Sequence, residues 1–211
     1  MRLRRSDVLE RAMRLLEEEG LAGLTMRRLA SALDVRPSAL YWHFADKRAL
    51  LDAMAEELVS GVPQPDASLP WDERATALAT GLRDALRSHR DGARLQAGTF
   101  VDGAHTLRVG NGLLGAFADA GLTRAQATGT VFTTLHFVLG HTIEEQARDE
   151  LLAGGRWNPE RAVEAAADFP ELASGLAEFE ATPPDTRFAE GLGGILDGVR
   201  WRVARGASAG T

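Results

Sequence analysis

Apolar residues along the first sixty positions recur at intervals of three and four, the spacing that gathers them on one face of a helix. Val8, Leu9, Ala12, Met13, Leu15 and Leu16 form such a face, opened by Ser6 and stopped by Gly20. Glu17, Glu18 and Glu19 fill its last turn and read as a solvated run, slightly unfavourable against the helix dipole. Thr25 can cap a short helix over 26–33 that turns Leu29, Ala30 and Leu33 inward. Asp34 and Val35 make a tight break. A second short helix follows over about 36–44, with Pro37 in its first turn, where a missing N–H does no harm. Asp46 can cap a fourth helix, over 47–60, carrying Leu50, Leu51, Met54, Leu58 and Val59.

Residues 61–70 (Gly-Val-Pro-Gln-Pro-Asp-Ala-Ser-Leu-Pro) are rich in turn formers and mark the best boundary, dividing the chain into 1–60 and 61–211. Beyond it the spacing predicts a helix from Pro70 to about Ser88 and shorter pieces near 91–98 and 107–119. Thr123 and Gln126 fit a capping box that opens a long helix to about Leu152. The Gly-, Pro-, Asp- and Ala-rich stretch 153–170 reads as a mobile loop. A short helix near 171–177 and a last one over about 184–205 close the chain. No stretch alternates with period two, so the fold class is all-α: an N-terminal helical unit followed by a larger helical domain.

Composition narrows the function classes. Hydrophobic residues make up 45% and charged residues 26%, the ordinary balance of a globular protein with a proper core. The absence of cysteine excludes disulfide scaffolds, cysteine nucleophiles and thiolate metal sites. No apolar run reaches the ~18 residues of a membrane span, and no apolar signal core follows the basic N-terminus, so a cytoplasmic protein is expected. A net charge of −6 argues against a nucleic-acid partner until its distribution is considered. Residues 1–48 carry ten Arg/Lys and seven Asp/Glu, a net of +3, and the remainder carries fourteen and twenty-three, a net of −9. A basic head on an acidic body confines any polyanion to one end.

Two short helices around a tight break in a basic helical unit form a helix-turn-helix pattern, whose second helix is short because it lies in a major groove. Leu40 and Phe44 point inward at spacing four, leaving Ser38, Ala39, Tyr41, Trp42 and His43 around the outer face. Adjacent exposed rings are a solubility liability without a partner. Tyr O–H, Trp N–H and His N–H are phosphate donors that fix register, whereas Ser38 and Ala39 are small enough to meet base edges. Arg36 could reach a guanine. Arg27 and Arg28 open the preceding helix, whose N-terminus can itself receive a phosphate.

Gly23-Leu-Thr-Met-Arg-Arg-Leu-Ala30, Leu33-Asp-Val35, Ala39-Leu-Tyr-Trp-His-Phe44 and Asp46-Lys-Arg-Ala-Leu-Leu51 resemble the DNA-binding domain of the TetR family of bacterial transcriptional repressors. His89-Arg-Asp-Gly-Ala93 with Gly98-Thr99, and His136-Phe-Val-Leu-Gly140 with Glu144-Glu-Gln146, resemble the ligand domain of its tetracycline-binding members. The resemblance implies an all-helical homodimer with two DNA-binding heads and an effector-binding core, released from a palindromic operator when the effector binds. By position it places the DNA contacts at Thr25, Arg27, Arg28, Ser38, Ala39, Tyr41, Trp42, His43 and Lys47. Pro37 and Ala39 replace polar family residues, so the operator sequence is expected to differ.

The larger domain carries none of the common catalytic motifs: no H-E-x-x-H, G-x-S-x-G, P-loop or dinucleotide fingerprint. It does carry polar residues on apolar helices. His136 and Glu144 lie on roughly one face of the long helix and His141 and Glu145 on another, and each pair could bind a metal or a ligand amide. An enzyme built on these groups and an effector-independent regulator remain the rival readings. The polar and metal-binding positions of tetracycline-binding members fall here on Pro63, Leu78, Gln96 and Phe100, and only Thr99 and Glu144 match. The expected effector is therefore more apolar than a magnesium–tetracycline chelate and needs no metal or cofactor. It would be contacted by Leu78, Leu82, Leu86, Gln96, Thr99, Phe100, His136 and Glu144. Leu135, Leu139 and Ile143 on the long helix and Leu192, Ile195, Leu196, Val199 and Val203 on the last are the candidate dimer interface. Four glycines among residues 191–198 suggest close helix–helix approach there.

Overall fold

The computed structural model of the chain describes residues 3–99 and 102–208. Among the described residues there are eleven helices and no strand. Four form a head: α1 (Arg5–Gly23), α2 (Met26–Ala32), α3 (Pro37–Tyr41) and α4 (Lys47–Leu58). Seven form the body: α5 (Trp71–Arg87), α6 (Gly92–Ala97), α7 (Ala104–Asp119), α8 (Arg124–Ala153), α9 (Pro159–Ala165), α10 (Pro170–Ala181) and α11 (Pro184–Ser208).

Local chemistry sets most of the boundaries. The Thr25 hydroxyl accepts the Arg28 N–H at 3.2 Å, and Asp46 accepts the Ala49 N–H at 2.8 Å. At the start of α8 the capping box closes both ways: Thr123 accepts from the Gln126 N–H, and the Gln126 side chain accepts from the Thr123 N–H. Gly20 does not end α1 but bends it, with φ +72, and the helix resumes to Gly23. An added Cβ there would sit 2.9 Å from an Asp91 carboxylate oxygen, so glycine is required by both conformation and space.

The stretch 153–170 contains a helix, contrary to the loop expected there. Asn158 accepts the Arg161 N–H at 3.2 Å and Pro159 supplies the first helical position. α10 also runs longer than the short helix expected near 171–177. Neither helix buries a residue of its own, and α9 is too short to show a clear apolar face, whereas α10 carries Leu172, Leu176 and Phe179 at helical spacing.

Buried apolar residues from Val8 to Val199 join in one cluster that spans both parts. α8 runs through the body in contact with α5, α6, α7 and α11. α4 meets both α6 and α7. The Glu56 carboxylate of α4 accepts the Thr106 N–H and hydroxyl at 3.2 and 3.0 Å and also the His105 N–H, capping the first turn of α7.

Candidate nucleic-acid interface and effector cavity

α3 is anchored by Leu40 and Phe44, both buried, and the Arg5 guanidinium lies 4.5 Å from the Phe44 ring centre. The turn between α2 and α3 places Asp34 in the left-handed region at φ 53, and the Val35 N–H closes back on the Ala30 carbonyl at 3.0 Å. This tight geometry turns the opposite face of α3 outward. Tyr41 is 51% and Trp42 89% exposed. Thr25, Arg27, Arg28, Arg36, Ser38 and Lys47 are exposed beside them, and Ala39 and His43 are half-buried at the edge of the same face. Arg28 is ion-paired with Glu19, so a phosphate would have to draw it from that partner.

The glutamate run of α1 is not merely solvated. Glu18 pairs with Arg11 at 2.9 Å. Glu17 reaches the body, with an oxygen 2.6 Å from His89 Nδ1 and both oxygens 3.2 Å from the Arg90 N–H they accept. The Asp91 carboxylate accepts the Leu21 N–H at 2.8 Å, just past the Gly20 bend. His89, Arg90 and Asp91 therefore form the joint between body and head. The sequence showed the charges but not this juxtaposition, because the partners lie about seventy residues apart.

Inside the body, Arg83 of α5 and Glu145 of α8 are nearly inaccessible and paired twice, at 3.0 and 2.5 Å. Arg83 also donates to Asp185 at 2.8 Å and lies 4.8 Å from the Phe188 ring centre. Burial weakens the guanidinium's hold on its proton, but its bonds to Glu145 and Asp185 outweigh that and keep it charged. His141 packs against the rings of Phe137 and Phe188. Burial holds its pKa below the ordinary histidine range; Arg83, Arg187 and Arg87 push it the same way, and Glu145 opposes them. His141 and Glu145 are thus spent on packing and on an ion pair. Among the described residues no three His, Asp or Glu side chains converge on a point that could hold a metal.

The structure divides the candidate effector residues. Leu78, Leu82 and Leu86 are buried core, and Gln96 and Thr99 are half-buried on and beside α6. Phe100 lies outside the described residues. His136 and Glu144 stand instead on another face of α8, at a cavity of about 580 Å³ closed by α10 and the start of α11. The sequence could not separate these groups, because a linear spacing on α8 does not say which neighbouring helix each face meets.

The dimer candidates divide too. Leu192, Leu196 and Val199 are buried in the chain's own core, and Leu135, Leu139, Ile143 and Val203 are half-buried against it. Ile195 lies in a groove between α8 and α11 with Gly129, Gly194 and Gly198, all three glycines open to space. Phe132, which belongs to the apolar stripe of the long helix, and Trp201 are each more than half exposed, on α8 and α11 respectively. Of the four clustered glycines only Gly191 meets a close neighbour, the Phe137 ring; Gly193, like Gly194 and Gly198, meets none.

A short, outward-facing helix on a tight turn, flanked by cations and carried on a helical body with a cavity, defines a helix-turn-helix regulator. Residues 8–54 match the family described as bacterial regulatory proteins, tetR family, and residues 62–203 match the tetracyclin repressor-like C-terminal domain. The chain is 38% identical over 206 residues to the class A tetracycline repressor from transposon 1721 of Escherichia coli, covering 95% of this chain and 92% of that one. A possible TetR-family regulator from Streptomyces coelicolor A3(2) superposes with a TM-score of 0.84 at 41% identity, covering 93% and 98% of the two chains. BioQ, solved with its double-stranded DNA operator, superposes at 0.67 with 37% identity over 83% of this chain and 98% of that one. The chain belongs to the TetR family of bacterial regulatory proteins.

Proposed function

We propose that the chain is a ligand-responsive transcriptional repressor that binds a roughly palindromic operator as a homodimer and is released by a small molecule held in its body. The observation that carries this is the pair of exposed rings at the end of α3, Tyr41 as its last residue and Trp42 just beyond it. They and His43 would hold phosphates, Ser38, Ala39 and Arg36 would meet base edges, and Thr25, Arg27, Arg28 and Lys47 would grip the backbone beside them. The DNA complex of BioQ supports this assignment by similarity. Residues 1–60 would act as the head and 61–211 as the effector and dimer domain, working in the cytoplasm where the operator lies.

Dimerisation through α8 and α11 is supported by the exposed Phe132 and Trp201 and by the open glycine groove beside Ile195. A twofold dimer sets half-sites about one helical turn apart, or a multiple of it. Effector entry would act on the head through the joint at His89–Asp91. Among the described residues no helix is long and apolar enough to cross a membrane.

The test is selection of genomic DNA fragments on the purified protein, with Tyr41→Ala in parallel. A palindrome recovered by the wild type and lost by the variant is the expected result. Equal recovery by both would overturn the recognition-helix assignment.

A further inference from the structure

Ion pairing divides the cations of the head into two groups. Arg4, Arg11, Arg14, Arg28 and Arg48 are each paired with a carboxylate of the head itself. Arg5, Arg27, Arg36 and Lys47 are exposed, and no carboxylate among the described residues lies within ion-pair distance of them. An exposed cation with no acid beside it keeps a positive local potential that a polyanion can use. Arg27, Arg36 and Lys47 lie on the face already read as meeting DNA. Arg5 shares their unpaired state but stands outside the helix-turn-helix, in the first turn of α1.

Three contacts fix Arg5 beside that face. Leu3 is half-buried against the core, so the chain entering α1 is docked. Arg4 then closes on Asp7, its backbone N–H donating to the carboxylate at 3.0 Å and its guanidinium at 3.0 and 3.3 Å. The Arg5 guanidinium itself lies 4.5 Å from the ring centre of Phe44, which follows Trp42 and His43 just past the end of α3. The electron-rich ring face holds the cation in place and asks nothing of its N–H donors. A guanidinium held in this way has little side-chain freedom left to lose when it meets an anion. The linear sequence hides the arrangement, because Arg5 and Phe44 lie at opposite ends of the head.

We propose that Arg5 is a further DNA contact, holding a backbone phosphate at the edge of each half-site, next to those met by Trp42 and His43. This rests on the reading of α3 as the recognition helix, and it widens the footprint of the head from the helix-turn-helix to the start of α1. A phosphate contact carries no base identity, so Arg5 adds affinity and register and leaves the preferred sequence unchanged.

Two variants of the full chain test it, each titrated across a salt series with the operator fragment recovered by selection and with a random-sequence duplex of the same length. Arg5→Met removes the charge and keeps a long side chain able to pack on the Phe44 ring through its sulfur. Arg5→Lys keeps the charge. Arg5→Met should weaken operator binding about fivefold. It should also make log affinity against log salt shallower by about 0.9 per half-site on both duplexes, with the melting temperature unchanged. Arg5→Lys should restore the wild-type slope. Ethylation of operator phosphates should show one position per half-site that blocks the wild type and is indifferent to Arg5→Met. An unchanged slope in Arg5→Met would overturn the proposal, and a lowered melting temperature alongside it would make Arg5 a packing residue. Equal losses in Arg5→Met and Arg5→Lys would overturn it too, since a phosphate contact depends first on charge. Failure to recover an operator, or equal recovery by Tyr41→Ala, would instead defeat the recognition-helix reading, and the random-sequence duplex would still decide Arg5.

Discussion

At the end of α3, Trp42 stands in solvent and Tyr41 half in it, whereas on α5 and α8 the polar groups Arg83 and Glu145 are buried and joined by two bonds to each other. Tyr41, Trp42 and Glu145 all looked functional in the sequence, as unusual residue types on otherwise ordinary amphipathic helices, whereas nothing there pointed to Arg83. The difference lies in partnership. A buried ion pair holds the helices in register, and removing one partner exposes a large desolvation cost. An exposed ring with no neighbour contributes little to folding and is free to meet something else.

The strongest way to break this contrast is Arg83→Leu. It removes both hydrogen bonds to buried Glu145 and leaves it only the Arg87 guanidinium, 3.5 Å away, so it should cost about 3 kcal/mol of stability, seen as a large fall in melting temperature. An unchanged melting temperature would mean that Glu145 finds another partner. Gly20→Ala probes the joint between the two regions. An alanine there must adopt a left-handed conformation and crowd Asp91, at about 1–2 kcal/mol. Chemical denaturation should show that loss, with weaker operator binding alongside, as the head loses its fixed angle. Tyr41→Ala should leave the denaturation midpoint in place and weaken operator binding about tenfold, or ~1.4 kcal/mol. A shifted midpoint would make Tyr41 a packing residue after all. Lys47→Ala, scored by affinity across a salt series, should reduce the slope of log affinity against log salt by about 0.9, one phosphate contact. The smallest effect concerns pH. His141 has a folded pKa below the unfolded value of about 6.5. As pH falls through that window the unfolded chain takes up a proton that the native state refuses, so stability is lost on acidification and kept above it. His141→Phe should flatten that part of a stability–pH curve.

Much of the head was legible because its contacts are local. Thr25 and Asp46 cap helices three residues away, and the spacing of Leu40 and Phe44 decides which face of α3 is outward. The body was legible only in outline. α9 was missed because it buries nothing, and the glutamates of α1 read as solvated because His89 and Arg90 lie far along the chain. Leu192, Leu196 and Val199 were rightly read as apolar, but apolarity alone does not say whether a stripe closes its own core or meets a partner.

By itself the sequence determined the all-helical class, the helix-turn-helix with its outward aromatic residues, and the charge division between head and body. These follow from periodicity, capping and composition, which act over a few residues. Only the tertiary structure decided which polar residues of the body are spent on each other, where the cavity lies, and how α8 is fastened to the head through Gln146 and the 86–93 corner. Those depend on which faces of distant helices meet, and that is settled by the packing of the whole core.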